Sequence, residues 1–93
     1  MKAAVSYESN HETAYSYCNA LLTDLIDKCN TIAKEHCIDI TTNSGELGGI
    51  YRTLTLKYGV MSKLVSMKEI DLEIKSLKQI EKILQRIENQ LNS

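Results

Sequence analysis

Residues 50–58 read IYRTLTLKY, and the fold turns on this stretch because it fits two periods. As a strand, Ile50, Leu54, Leu56 and Tyr58 share one face, with Thr53, Thr55 and Lys57 opposite and Arg52 out of place. Pairing it with Ile38, Asp39, Ile40, Thr41 and Thr42 would make a hairpin over 38–58 and an α-β-β-α chain. As a helix, it continues a stripe of Leu47, Ile50, Tyr51, Leu54, Tyr58, Met61 and Val65. The helical stripe is longer and less interrupted, and Asn43 and Glu46 offer a cap ahead of it. The sequence therefore predicts a middle helix over 45–64 and an all-α fold, with the hairpin as the alternative.

Downstream, Ser66 and Glu69 have the form of a capping box, and Val65 before the cap can pack on Ile70 as a hydrophobic staple. A helix over 67–92 follows, with Met67, Ile70, Ile74, Leu77, Ile80, Ile83, Leu84, Ile87 and Leu91 on one stripe. With Ile70, Leu77, Leu84 and Leu91 at heptad position a, the d positions are Glu73, Ile80 and Ile87, while Ile74 and Ile83 flank them. That stripe is broader than a two-stranded coiled-coil seam and suits a bundle helix with more than one neighbour. Asp71 and Lys75 add a favourable i,i+4 pair on its outer side.

Upstream, the run IDITTNSGELGG (38–49) holds the concentrated turn chemistry of the chain, which places a loop at 38–44. Before it, Ala14, Cys18, Leu21, Leu22, Leu25, Cys29, Ile32, Ala33 and His36 recur at three- and four-residue spacing. They define a first helix over 10–37, about 40 Å long at 1.5 Å per residue. Ser9 and Glu12 form a capping box at its start, and Lys34 and His36 suit the negative end of its dipole. Residues 1–8 show no period and are expected to form an arm ahead of a single helical domain over 9–93.

Composition narrows the function. A chain of 93 residues buries only about 60 to 65% of the surface its unfolded form exposes, and it has no Phe or Trp to enlarge the core. Burial against a partner or a second copy is the natural remedy. A net charge of −1 argues against general polyanion binding, so nucleic acid is not the expected partner. No apolar run approaches the roughly 20 residues of a membrane span. Three cysteines and no signal-peptide core read as a cytoplasmic protein with reduced thiols.

Groups able to carry chemistry do not assemble into a site. Cys18, Cys29, His36 and Cys37 fall in one predicted helix, with Cys18 and Cys29 roughly 16 Å apart along the axis, too far to share a zinc ion. Cys37 and His36 are neighbours whose side chains diverge by about 100° on a helix, so they do not form a nucleophile and base. The SGELGG run lacks the GK[ST] of a phosphate loop. No catalytic residue, metal or cofactor is assigned, and an enzyme is not expected.

Residues 54–66, LTLKYGVMSKLVS, resemble a helix-turn-helix, with Leu54, Tyr58, Gly59, Val60 and Val65 matching its apolar, apolar, Gly, apolar and apolar positions. The resemblance implies a dimeric DNA-binding regulator in which Lys57, Ser62, Lys63, Ser66 and Lys68 meet DNA. Thr55 and Lys68 depart from the pattern, and a cap at Ser66 would end the recognition helix after barely two turns.

The leading expectation is a small protein-binding module of the adaptor, inhibitor, immunity or secretion-chaperone kind. Tyr7, Tyr15 and Tyr17 lie partly off the first helical stripe and are its expected contact residues, since Tyr buries a ring while its hydroxyl stays wet. A homodimer is expected through Ile70, Ile74, Leu77, Ile80, Leu84, Ile87 and Leu91. A purely structural homo-oligomer built on that same helix is the remaining alternative.

Overall fold

A computed structural model describes residues 11–42, 45–58 and 65–93. In it α1 spans His11–Glu35, a short 3-10 turn spans Ile40–Thr42, α2 spans Gly45–Arg52 and continues as a π-helical turn over Thr53–Tyr58, and α3 spans Met67–Asn92. The fold is all-α, two long helices and a shorter middle one, with no strand among the described residues.

The competing periods of 50–58 are resolved by two leucines. Leu54 is fully buried, while Leu56, which a strand would place on the same face, is 66% exposed. Leu47, Leu54 and Tyr58 face the core, with Ile50 and Tyr51 packed against it, as the helical stripe requires. The hairpin over 38–58 is thereby overturned. The middle helix also differs from expectation, being α-helical to Arg52 and then widened into a π turn. Thr53 and Thr55 donate their hydroxyls back to the carbonyls of Gly49 and Tyr51, both at 3.0 Å. Bonds of this kind compete with the regular helical ladder and deform it. Residues 59–64 of the expected helix, like the arm at 1–8 and the Ser9 and Asn43 caps, lie outside the described residues.

Side-chain contacts fix the direction of each element. The His11 ring bonds the carbonyl of Val65 just before α3, and toward the other end Lys28 Nζ lies 3.4 Å from Glu88 Oε1. α1 and α3 therefore run parallel. Glu46, at the start of α2, pairs with Arg86 near the end of α3, so the middle segment runs back between the two ends. The result is an up-down-up arrangement, 41 Å in its longest dimension. That length agrees with helices of 25 and 26 residues rising 1.5 Å per residue.

The core is built from unlike faces. α1 contributes the small side chains Ala14, Cys18, Cys29 and Ala33 together with Leu22, Leu25 and Ile32, and α3 contributes Ile70, Ile74, Leu77 and Leu84. Small residues on one helix let the bulkier ones of its neighbour approach closely. Leu47, Leu54 and Tyr58 close the third side, and Ile40 from the 3-10 turn joins the same cluster.

Both boundaries of the long helices have identifiable chemistry. At α3, the Ser66 hydroxyl accepts from the Glu69 amide at 3.2 Å and the Glu69 carboxylate accepts from the Ser66 amide at 3.0 Å, the complete capping box. At the end of α1, Cys37 adopts φ 56° and the Ile38 amide donates to the Ala33 carbonyl at 2.8 Å, a closing pattern that usually carries glycine at the left-handed position.

Ser66→Ala is expected to lower folding stability by about 1 kcal/mol, measured by urea unfolding. The amide and hydroxyl bonds from Ser66 hold the Glu69 carboxyl below the usual range, and the Thr41 hydroxyl and amide do the same for Asp39. Carboxyls depressed in the folded state contribute stability that is present above the unfolded value, about 4, and lost as pH falls through the lower folded value. The urea midpoint is therefore expected to fall between pH 5 and pH 2.

Candidate functional site

The residues expected to carry function are distributed as follows. Tyr17 projects from α1 at 38% exposure, with the Lys78 ammonium of α3 5.8 Å from its ring centroid. Tyr15 packs against the core cluster, so it supports the surface more than it presents one. Tyr7 lies outside the described residues. Of the DNA-contact candidates, Lys57 sits 5.2 Å from the Tyr58 ring centroid, Lys68 is exposed in the first turn of α3, and the Ser66 hydroxyl is engaged by its cap. Ser62 and Lys63, like Gly59 and Val60, lie outside the described residues.

Most residues of the expected dimer seam lie inside the single chain. Ile70, Ile74, Leu77, Leu84 and Ile87 are buried within the single chain, and Ile80 packs against its core. α1 runs alongside α3 and, with the middle segment on the third side, covers the stripe that has no partner when each helix is read by itself. Leu91 is the most exposed of the seven, at 38%.

Two leucines that the sequence reading does not assign to a surface also stand in water. Leu56 is 66% and Leu72 53% exposed. The signal was available in the helical reading: Leu56 stands two residues past Leu54 and Leu72 two past Ile70, positions that rotate a side chain to the far side of a helix.

Three shallow grooves border these residues. One, of about 220 Å³, is lined by Val65, Glu69, Leu72 and Glu73 at the start of α3. A second, of about 240 Å³, lies where Ile38 and Leu47 meet Ile87 and Leu91, with Glu46 and Gln90 on its edge. A third, of about 200 Å³, lies between the 3-10 turn and the middle segment. All are smaller than the roughly 300–1,000 Å³ of ordinary small-molecule sites. Open grooves of this size accept one or two side chains of another polypeptide.

The thiols divide sharply. Cys18 and Cys29 are buried and Cys37 is exposed. Burial pushes the Cys29 thiol up to about 11, and burial followed by the nearby Glu73 carboxylate raises Cys18. Since the thiolate is the reactive form, a native chain treated with a disulfide reagent at pH 8 is expected to release one fast equivalent, from Cys37. The other two should react at the rate of unfolding, and a Cys37→Ser chain should lose the fast phase. No three His, Cys, Asp or Glu side chains gather in a metal-binding arrangement among the described residues.

Compared with protein-family models, with curated proteins and with solved structures, the chain matches none. Function is therefore read from the geometry. Among the described residues no helix is long and apolar enough to cross a membrane.

Proposed function

We propose that this chain is a protein-binding module acting in the cytoplasm, a small helical bundle whose task is to present a shaped surface to a second protein. The observation that carries the reading is the set of large apolar side chains that stay exposed among the described residues: Leu56 and Leu72, with Tyr17 and Leu91 more partly. With the long stripes sealed inside the bundle, Leu56 and Leu72 keep more than half of their surface in water. Their exposed area is what a partner would remove from water. Tyr17 has the character of a contact residue, an aromatic ring 38% exposed with the Lys78 ammonium 5.8 Å from its centroid.

Co-purification from its own host, with the mass of the eluted complex measured by light scattering, tests the reading. A second protein at fixed stoichiometry, reduced in yield by Tyr17→Ala or Leu72→Ser, is the expected result. A bare chain under all conditions, or a partner indifferent to every exposed apolar residue, would overturn it.

A further inference from the structure

The three grooves differ in charge, and the difference points to a ligand. The first is lined by Glu69 and Glu73 and the second by Glu46, whereas the third has no carboxylate in its lining and carries Arg52. Its walls are Ile40, Thr41, Tyr51, Arg52, Thr55 and Leu56. Ile40 is a buried core residue, and Leu56 is the most exposed of the large apolar side chains among the described residues. Arg52 and Leu56 are four residues apart on the middle segment and so lie on one side of it.

One charged group here is not consumed by the fold. The Arg52 guanidinium is exposed and pairs with no carboxylate of the described residues, whereas Arg86 pairs with Glu46 and Lys28 with Glu88. The nearest acidic residue in sequence to the wall at Thr41 is Asp39, and its carboxylate is held by the Thr41 amide at 3.0 Å and the Thr41 hydroxyl at 2.6 Å. The Thr55 hydroxyl is likewise turned inward, to the Tyr51 carbonyl at 3.0 Å and the Arg52 carbonyl at 3.3 Å. The groove thus offers an apolar wall and one planar cation with no carboxylate partner among the described residues. It also borders the π turn, a departure from regular helix of a kind found frequently at functional sites.

We propose that this groove docks a partner polypeptide segment in which an Asp or Glu lies beside an apolar side chain. The carboxylate takes the forked donors of Arg52, and the apolar side chain covers Leu56 and the ring of Tyr51. The inference rests on the protein-binding reading and assigns its chemistry to one place. A basic segment is disfavoured by Arg52, and a wholly apolar one would leave that guanidinium against an uncompensated surface.

The test is a random peptide library displayed on phage and panned on the purified chain, with affinities of the enriched peptides measured by fluorescence anisotropy. Enriched peptides are expected to share an Asp or Glu within a few residues of Leu, Ile or Phe. Arg52→Glu should weaken them about tenfold or more, and replacing the peptide carboxylate by Lys should restore binding to that variant. Leu56→Ser should weaken the same peptides. Both positions are exposed, so the variants should keep the parental unfolding midpoint, which separates lost contact from lost fold. Peptides without acidic residues, or peptides indifferent to Arg52→Glu, would overturn the groove and leave the wider reading standing. No enrichment overturns the groove, and no enrichment together with a bare chain from host cells overturns both.

Discussion

Leu54→Ala is expected to lower folding stability by about 2–5 kcal/mol, while Leu56→Ala is expected to change it by no more than about 0.5 kcal/mol. The two residues are the same amino acid, two positions apart, in one segment. Leu54 is fully enclosed, and its truncation loses transfer free energy and opens a cavity in a core that α1, α3 and the middle segment share. Leu56 is already in water for two thirds of its surface. Urea unfolding of both variants checks the contrast. Equal losses would mean that the two side chains share a face, as in the strand that the helical period displaces. The smaller loss at Leu56 has a second use, because it permits binding to be measured on a chain that is still folded.

A loss of similar size is expected for Leu77→Ala, and it should not depend on protein concentration. Leu77 is fully buried near the middle of α3, in the cluster that includes Leu22 and Leu25 of α1. A domain of this length has a total stability of about 5–14 kcal/mol at 0.05–0.15 kcal/mol per residue, so a change of about 2–5 kcal/mol removes a large fraction of it. If Leu77 instead sealed a homodimer, the unfolding midpoint would rise with chain concentration and the variant would shift the oligomeric mass. Unfolding curves at two concentrations a hundredfold apart distinguish the cases.

Much of this fold is legible in the sequence, for reasons that can be named. The capping box at Ser66 and Glu69 is a local pattern whose partners lie three residues apart, so no tertiary knowledge is needed to find it. The α1 stripe is equally local, and its buried members Ala14, Cys18, Leu22, Leu25, Cys29, Ile32 and Ala33 all fall on the three- and four-residue spacing. The π turn is less accessible, because it depends on where the Thr53 and Thr55 hydroxyls go once Leu54 and Tyr58 are committed to the core. The fate of the α3 stripe was hidden for a different reason. A Leu and Ile face at helical spacing looks the same whether the surface that covers it is another copy or another part of the chain. What decides it is the parallel pairing of α3 with α1, which is a property of the whole chain.

The candidate site was the least legible part. Arg52 reads in sequence as a misfit in a strand and as an ordinary polar residue in a helix. Its significance comes from a turn at 40–42 that sets Ile40 and Thr41 beside it, twelve and eleven residues away. Tyr17 is visible in one dimension as an aromatic residue off an apolar stripe, whereas the Lys78 that lies over its ring belongs to a helix sixty-one residues later.

The arrangement that seals the stripes and leaves these grooves open is the parallel pairing of α1 with α3 inside one chain, and zero-length crosslinking of lysine to carboxylate tests it most directly. Treated with a carbodiimide at low protein concentration and digested, the monomeric species should yield an amide joining Lys28 to Glu88, which the fold places 3.4 Å apart. An antiparallel pair would instead bring Lys28 toward the first half of α3, and Lys28 joined to Asp71 or Glu73, or the Lys28–Glu88 amide found in a crosslinked dimer alone, would contradict the fold described.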